Sequence, residues 1–154
     1  MKVTSTLRVF NEADLPKGGG VVSGQSQKQL AGSAENPTER ITVRLASFEK
    51  GTHEPLHWHL VEVFYYVISG RATMKDIEGK TYEIGPGTVI YGPPGIEGSH
   101  SWKVTEPLTL IAVRATTDPA RTVQFTVDPS TLESKMALEH LVFRGAVRFK
   151  ESLY

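Results

Sequence analysis

Three of the five histidines in the chain lie close together, in the stretch HEPLHWH that covers residues 53–59. His57 and His59 are two residues apart, and the sequence around them is typical of a strand. In extended backbone two such side chains point to the same face, so both imidazoles are expected on one side of a strand. Neutral imidazole binds iron, zinc, copper, nickel and manganese. The pair therefore predicts half of a metal site.

The remaining ligands of such a site must also offer nitrogen or oxygen, because the chain contains no cysteine. His100 is the best candidate for a third ligand, since it follows the turn GPPG at the start of another predicted strand. A barrel would place it opposite the first pair. His53 lies in a predicted turn, where histidines are commonly exposed, so it is a weaker candidate for an extra ligand. His140 is expected to be structural or exposed.

Composition excludes several classes of partner. Seventeen basic residues balance seventeen acidic ones among 154, so the net charge gives no reason to expect binding to nucleic acid or to an anionic membrane. The N-terminal sequence has no apolar stretch of signal-peptide length, and no window approaches a membrane span. We expect a single-domain cytoplasmic protein whose partner is a small molecule or a second subunit.

The elements that must position the histidines are predicted to be mostly strands. Residues 1–39 are rich in Gly, Ser, Gln and Pro and are expected to form an irregular segment with some strand, residues 40–115 the barrel core, and residues 116–154 a C-terminal strand and helix extension. Strand-like segments within the core are separated by turn signals, without intervening helices. They are ERITVRLASF, VEVFYYVISG with Gly70 as its end, RATMKDIEGKTYEI as two strands, TVIY and EPLTLIAVRA. This pattern favours an all-β sandwich or barrel.

The stretch DPSTLESKMALEHL is the exception, because its pattern favours a short C-terminal helix. Ser130 is suited to the N-cap, and Glu133 follows three residues later as its capping-box partner. The apolar face of this helix would consist of Leu132, Met136, Leu138 and Leu141.

Two separate motifs give the sequence a resemblance to the cupin superfamily of small metal-binding β-barrels. The first cupin motif places Gly, His, His, Glu and Gly at fixed spacing, and the second places Gly, Pro, Gly, His and Asn. The matching positions are Gly51, His57, His59 and Gly70 in the first motif, and Gly87, Pro93 and Gly95 in the second. The resemblance covers roughly residues 40–115. It implies a double-stranded β-helix, which is a barrel similar to a jelly roll.

The first motif departs from the family pattern at its glutamate. Val63 occupies the position of that residue, and Glu62 comes one residue early. A one-residue shift in a strand turns a side chain to the other face, so Val63, Tyr65 and the residues at 67 and 69 are expected to face inward. Two alternatives follow. Either the site has three histidines and no carboxylate, which we prefer, or a shortened turn brings Glu62 inward as a ligand.

The second motif departs at its histidine, because His100 comes two residues later than the family pattern requires. The two-residue extension preserves strand parity, so His100 is still expected to face inward. The extension also carries Glu97, which would lie at the edge of the site as a base or a hydrogen-bond acceptor. The motif has an asparagine four residues after its histidine, and in this sequence that position, counted from His100, is Val104.

Several other residues are expected to line a substrate pocket with Val63. Tyr65 and Trp102 have the strand parity of the ligands, and Tyr65 is a further candidate for proton transfer. Arg44, and Arg114 in the last strand of the core, would place a cation near the cavity to hold a carboxylate or an enolate.

The resemblance implies a metal-dependent enzyme that acts on a small oxygenated organic substrate. A centre of three neutral imidazoles resembles the ferrous dioxygenases of the family, so a non-haem iron dioxygenase is the leading prediction. Iron is then the expected metal, with zinc, manganese or nickel as alternatives. A redox-neutral isomerase, cyclase or lyase is a second option, and a non-catalytic cupin that binds a ligand or a metal is a third. By resemblance we also expect a homodimer.

Overall fold

Strands make up about half of the residues in a computed structural model that describes residues 1–137. They are β1 (Gly18–Gly19), β2 (Gln25–Ala31), β3 (Thr42–Phe48), β4 (His53–His59), β5 (Val63–Asp76), β6 (Thr81–Ile84), β7 (Val89–Gly92), β8 (His100–Arg114), β9 (Gln124–Val127) and β10 (Ser134–Met136). Short 3₁₀ helices cover Glu12–Asp14, Ile96–Gly98 and Pro119–Thr122. The predicted all-β class is therefore confirmed. Within the described residues, none of the helices has the length and apolar character needed to cross a membrane.

All strand pairs are antiparallel, and β8 organises the curled sheet that they form. On one side, β8 pairs with β4 near its start and with β3 near its end; on the other side, it pairs with β5 along its length. The strand order is β1-β2-β3-β8-β4-β9-β10, and β5 also pairs with β6 and β7. This arrangement sets residues of β3, β4 and β8 on a common inner face.

The inner face is buried because the strands alternate between buried and more exposed positions. Every second residue of β3 is buried, and the first half of β5 shows the same alternation. The apolar core cluster of the described residues consists of Ala46, Phe48, Val63, Tyr65, Val67, Ala72, Met74, Ile84, Trp102, Val104, Leu108, Leu110 and Ala112. Burial of these side chains supplies the main driving force for folding.

Gly70 does not end its strand, contrary to the sequence prediction. β5 continues through it to Asp76, and the register against β8 shifts on both sides of Gly70. Because of this irregularity Ser69 is exposed instead of facing inward. Gly70 has a φ of +91°, and an added Cβ would overlap the carbonyl oxygen of Pro107. Glycine is required here by the bulge, where the backbone of β8 approaches closely.

The predicted C-terminal helix is wrong over the described residues, because Ser134–Met136 forms strand β10 and pairs with β9. The Asp128 side chain accepts a hydrogen bond from the Ser130 N–H at 2.8 Å, so Asp128 organises a turn where Ser130 was expected to cap a helix. Leu132 has a φ of +61°, which a helix does not allow. Residues 138–154, including Leu138, His140 and Leu141, lie outside the described part of the chain.

Candidate metal centre

Three buried histidines converge on the inner face of the sheet. His57 and His59 project from β4, and His57 lies directly opposite His100 of β8 in the strand register. One ring nitrogen from each of the three residues lies within 4.8 Å of the other two. The ring centroids are 4.6 to 5.6 Å apart. Three donors this close, on two strands of a rigid sheet, can bind a single ion.

Backbone carbonyls fix the orientation of two of these rings. Nδ1 of His57 lies 2.6 Å from the oxygen of Pro55, and Nδ1 of His100 lies 2.9 Å from the oxygen of Gly98. Since a carbonyl oxygen only accepts, each Nδ1 carries the proton and donates it. The lone pair of each neutral ring is therefore on Nε2. Such hydrogen bonds fix the tautomer and the ring orientation of imidazoles that bind metals.

Burial keeps His100 in the neutral form that a metal requires. Desolvation, with a further contribution from nearby His57, lowers the pKa of His100 from 6.5 to about 3. A group with this pKa carries no proton on Nε2 at neutral pH. A metal ion therefore does not have to displace a proton from this ring to bind.

The 3₁₀ helix Ile96–Gly98 accommodates the two extra residues that precede His100. Gly95 donates its N–H to the oxygen of His59 at 2.8 Å, which ties the start of this turn to β4. Ser99 donates its N–H to the oxygen of Ile96 at 3.1 Å and closes the turn. β8 then begins at His100 with the side chain buried. The insertion thus alters the loop without turning His100 away from the inner face.

Glu54 is a buried carboxylate in this site that the sequence analysis missed. Its Oε1 lies 3.6 Å from Nε2 of His57 and accepts a hydrogen bond from Nε2 of Gln124 at 3.0 Å. Strict alternation would place Glu54 and His57 on opposite faces, but the register of β4 shifts between them. Pro55 within this shift cannot donate to the strand ladder. The signal in the sequence was Pro55 between Glu54 and the histidine pair, since a proline there favours a bulge that turns Glu54 to the same face as His57.

Glu54 lies beside His57, outside the set of three donors that all lie within 4.8 Å of one another. Two ligands at 2.0–2.2 Å from a metal, separated by a tetrahedral angle, lie about 3.4 Å apart. The 3.6 Å between Glu54 and His57 is close to this value. A cation held by His57 would therefore lie close to the negative charge of Glu54. The donors therefore fit a divalent transition metal, and imidazole with carboxylate suits iron, zinc, manganese and nickel alike.

Tyr65 and Trp102 form an aromatic wall beside His100. The Tyr65 hydroxyl lies 3.3 Å from Nε2 of His100, and the Trp102 ring packs edge-on against both neighbours. Burial raises the pKa of Tyr65 to about 12, although the charge and hydrogen bond of Arg114 act in the opposite direction. Tyr65 is therefore a neutral hydrogen-bond donor over the physiological pH range.

Arg44 and Arg114 are also buried on the inner face, next to a cavity of about 30 Å³. Val63 is buried as well and lies opposite Arg114 in the register of β5 and β8. The cavity is lined by Val21, Gln25, Gln27, Arg44, Ala46, Phe48, Glu54, Tyr65, Trp102, Leu110, Arg114 and Gln124. Glu54 and Tyr65 belong both to this lining and to the surroundings of the histidines, so the cavity and the histidine cluster adjoin.

Other candidate residues are not brought into the cluster. Glu62 is exposed and accepts a hydrogen bond from the Tyr91 hydroxyl at 2.7 Å. Glu97 is exposed on its 3₁₀ helix, and His53 is exposed at the start of β4. A role for Glu97 in proton transfer stays a prediction.

A family model described as "Cupin domain" matches residues 44–114, which include His57, His59 and His100 and begin at Arg44 and end at Arg114. This matched region, just under half of the chain, carries a cupin domain. The resemblance noted in the sequence is thereby confirmed. In this cupin the carboxylate next to the histidines precedes the histidine pair, whereas the family motif places it after the pair. No curated protein matches the sequence of this chain.

Solved structures show the same fold at low sequence identity. The polyketide cyclase RemF from Streptomyces resistomycificus has a TM-score of 0.62 and 20% identity, over 71% of this chain and 80% of that chain. The DMSP lyase DddQ from Ruegeria pomeroyi DSS-3 has a TM-score of 0.57 and 18% identity, over 68% of this chain and 52% of the lyase. An oxalate decarboxylase from Lactobacillus farciminis, in a formate complex, has a TM-score of 0.59 and 22% identity, over 77% of this chain and 35% of the decarboxylase. The matches thus span about half of the lyase and a third of the decarboxylase.

Proposed function

We propose that this cupin is a metal-dependent enzyme that catalyses a redox-neutral reaction of a small oxygenated organic molecule, as an isomerase, cyclase or lyase. The observation that carries the proposal is the buried Glu54 carboxylate next to Nε2 of His57. The leading prediction from the sequence, an iron dioxygenase, depended on a centre without a carboxylate. Glu54 places a carboxylate beside this centre, so the site as a whole does not lack one. The similar structures of a polyketide cyclase, a DMSP lyase and an oxalate decarboxylase support the reassignment at the level of fold.

His57, His59 and His100 would hold the metal, with the Glu54 carboxylate next to His57 as a supporting group. When bound, a divalent ion supplies Lewis acidity that polarises a substrate oxygen. Gln124 holds Glu54 in position through the hydrogen bond to Oε1. The carbonyls of Pro55 and Gly98 hold two of the imidazoles in the required tautomer.

Tyr65 would donate a hydrogen bond to negative charge that develops on the substrate. Its hydroxyl is buried within 3.3 Å of His100, and its raised pKa keeps the proton on the phenol. A preorganised donor in a site that excludes water stabilises an oxyanion more strongly than water does. Trp102 packs against the Tyr65 ring and limits its movement.

Metal analysis and anaerobic turnover test this proposal. The purified protein should contain near-stoichiometric divalent metal, which a His57→Ala, His59→Ala double variant loses and a His53→Ala variant keeps. With a panel of 2-oxo acids, 2-hydroxy acids and 1,3-diketones, product should form at the same rate with and without oxygen. A strict need for oxygen would restore the dioxygenase prediction. Absence of metal under every growth condition would favour a non-catalytic binding cupin.

A further inference from the structure

We propose that Arg44 and Arg114 form a receptor for the carboxylate group of the ligand, so that the substrate class of the site is small organic acids. The inference rests on the proposed function where it concerns a substrate. The binding step itself does not require a metal or a reaction, and it can be tested separately.

The two arginines are neighbours on the inner face of the sheet. Arg44 of β3 lies opposite Ala112 of β8, and Arg114 of β8 lies opposite Thr42 of β3. They are therefore a diagonal pair on adjacent strands, where long side chains reach each other. Both are almost fully buried, with 6% and 8% of their surface exposed. Two like charges placed side by side in an interior repel each other unless an anion lies between them.

The guanidinium groups have hydrogen-bond donors that residues 1–137 leave unsatisfied. Nε and Nη1 of Arg44, and the same two atoms of Arg114, are buried and without a hydrogen-bond partner. Neither side chain takes part in an ion pair in this part of the chain. A buried charged donor without an acceptor is costly, and native interiors rarely keep one without a compensating group. Four such atoms beside one cavity point to a ligand that supplies oxygen acceptors.

The charge of the described cavity lining favours an anion. Among the lining residues, Arg44 and Arg114 are cationic and Glu54 is the one acid. Glu54 already accepts a hydrogen bond from Gln124 and lies beside His57. One carboxylate cannot balance two guanidinium groups, and a divalent ion on the histidines would add further positive charge. A negatively charged ligand would offset this excess.

The size and position of the cavity favour a small carboxylate. A cavity of about 30 Å³ holds a group of a few atoms, and a planar carboxylate matches the planar guanidinium group. Arg114 acts on Tyr65 through its charge and a hydrogen bond, and Tyr65 in turn contacts His100. A ligand bound by the arginines would therefore have its carboxylate at one end of the site and its reactive part towards the histidines.

Arg44 also connects this inner cavity with a larger one. A cavity of about 900 Å³ is lined by Arg44 together with residues of the N-terminal segment between Leu7 and Gly19. Lys17 and Arg8 lie on the same lining, and Glu35 is its one acid. A small acid entering from this side would pass cationic groups before it reaches Arg44.

Calorimetric titration of the full-length protein, once metal-loaded and once treated with a chelator, tests the receptor. The probes are acetate and oxalate, with acetamide as the uncharged analogue and inorganic phosphate as a different anion. Acetate and oxalate should bind to both forms, whereas acetamide should not. Arg44→Gln and Arg114→Gln should each weaken oxalate binding about tenfold or more, since each removes charged donors. Arg71→Gln is the matched control, because Arg71 is exposed and 3.9 Å from Glu106.

Carboxylate affinity that is unchanged in both arginine variants would overturn the proposal, as would a preference for phosphate. Arg44→Met and Arg114→Met show whether lost binding is merely a result of misfolding, because an apolar side chain of similar length removes the buried charge and leaves no unsatisfied polar group. In buffer free of carboxylates these variants should unfold at the same temperature as the parent or higher. Acetate should raise the unfolding temperature of the parent and leave that of the variants unchanged. If carboxylates bind through the arginines but no substrate is turned over, the proposed enzyme activity is wrong and the carboxylate receptor is supported. If substrate is turned over but binding does not depend on the arginines, the enzyme activity is supported and the receptor is wrong.

Discussion

The carboxylate of Glu54 lies 3.6 Å from Nε2 of His57, although the two residues are three positions apart on the same strand. In a regular strand they would face opposite sides. The register shift at Pro55 turns both side chains inward, and Gln124 of β9 then holds the carboxylate. An irregularity in one strand thus places a carboxylate next to a group of imidazoles.

Replacing Glu54 by glutamine should weaken metal binding about 10- to 100-fold, the usual effect of removing a carboxylate that supports a metal centre. The amide keeps the size of the side chain and loses its charge. Competition with a chromophoric chelator measures the change. Glu62→Gln is the matched control, because Glu62 is an exposed carboxylate on the neighbouring strand connection. Equal affinities for the parent and Glu54→Gln would contradict the assignment of Glu54 as a group that supports the metal centre.

The metal-free protein should lose stability in mild acid because of His100. Its folded-state pKa is about 3, well below the unfolded value of 6.5. As pH falls from 6.5 towards 3, the unfolded chain binds a proton at this residue and the folded chain does not. The free energy of unfolding should therefore fall by about 1.4 kcal/mol per pH unit in this window and be unaffected by His100 above it.

Urea unfolding of chelator-treated protein at pH 7.5, 6.0 and 5.0 measures this dependence. His100→Gln should have a shallower slope than the parent, whereas His53→Gln, which changes an exposed histidine, should keep the parent's slope. Parallel slopes for the parent and His100→Gln would show that the acid sensitivity has another origin.

Local pattern was sufficient for the features that depend on regular alternation. The strand character of the core, the inward position of Tyr65 and the outward position of Glu62 follow from a period of two, which β3 and the first half of β5 obey. The parity-preserving insertion before His100 could be read in the same way. The fold followed from two motifs in the correct order, and the family match agrees with it.

Prediction failed where backbone irregularity or long-range pairing decides the outcome. The inward position of Glu54 could not be predicted without knowing of the bulge at Pro55. Gly70 was expected to end a strand that in fact continues past a bulge. The segment around Ser134 has helical spacing, but pairing with β9 and a hydrogen bond from the Trp58 indole to Ser134 fix it as a strand. Tertiary contacts outweigh intrinsic preference in such short segments.

Gly70→Ala should destabilise the protein much more than Gly79→Ala. Both glycines have positive φ, +91° and +85°, so both substitutions carry the backbone cost of about 1 kcal/mol. An added Cβ at Gly70 would also lie 2.6 Å from the Cα of Leu108, whereas Gly79 has open space around it. We expect a total loss of about 3 kcal/mol or more at Gly70. Thermal and urea unfolding measure the difference; similar losses at both sites would mean that β8 can move away at little cost.

The expected homodimer is predicted to form through the outer face of β5 and β7. Phe64, Tyr66 and Ile68 of β5 point outward and are 39% to 45% exposed, and Val89 and Tyr91 of β7 are each 59% exposed. Phe64 pairs with Tyr91 and Tyr66 with Val89, so these side chains form one continuous apolar surface. A patch of this kind on a sheet is typical of an interface between subunits.

Light scattering coupled to size exclusion tests this interface. The parent should elute as a dimer, and Tyr66→Glu should elute as a monomer with an unchanged far-UV spectrum, because a charge in the centre of an apolar interface is not compensated. Ile41→Glu is the control, since Ile41 is 43% exposed but lies outside this surface, before β3. A parent that stays monomeric at tens of micromolar, or dimers that persist in Tyr66→Glu, would reject the proposed interface.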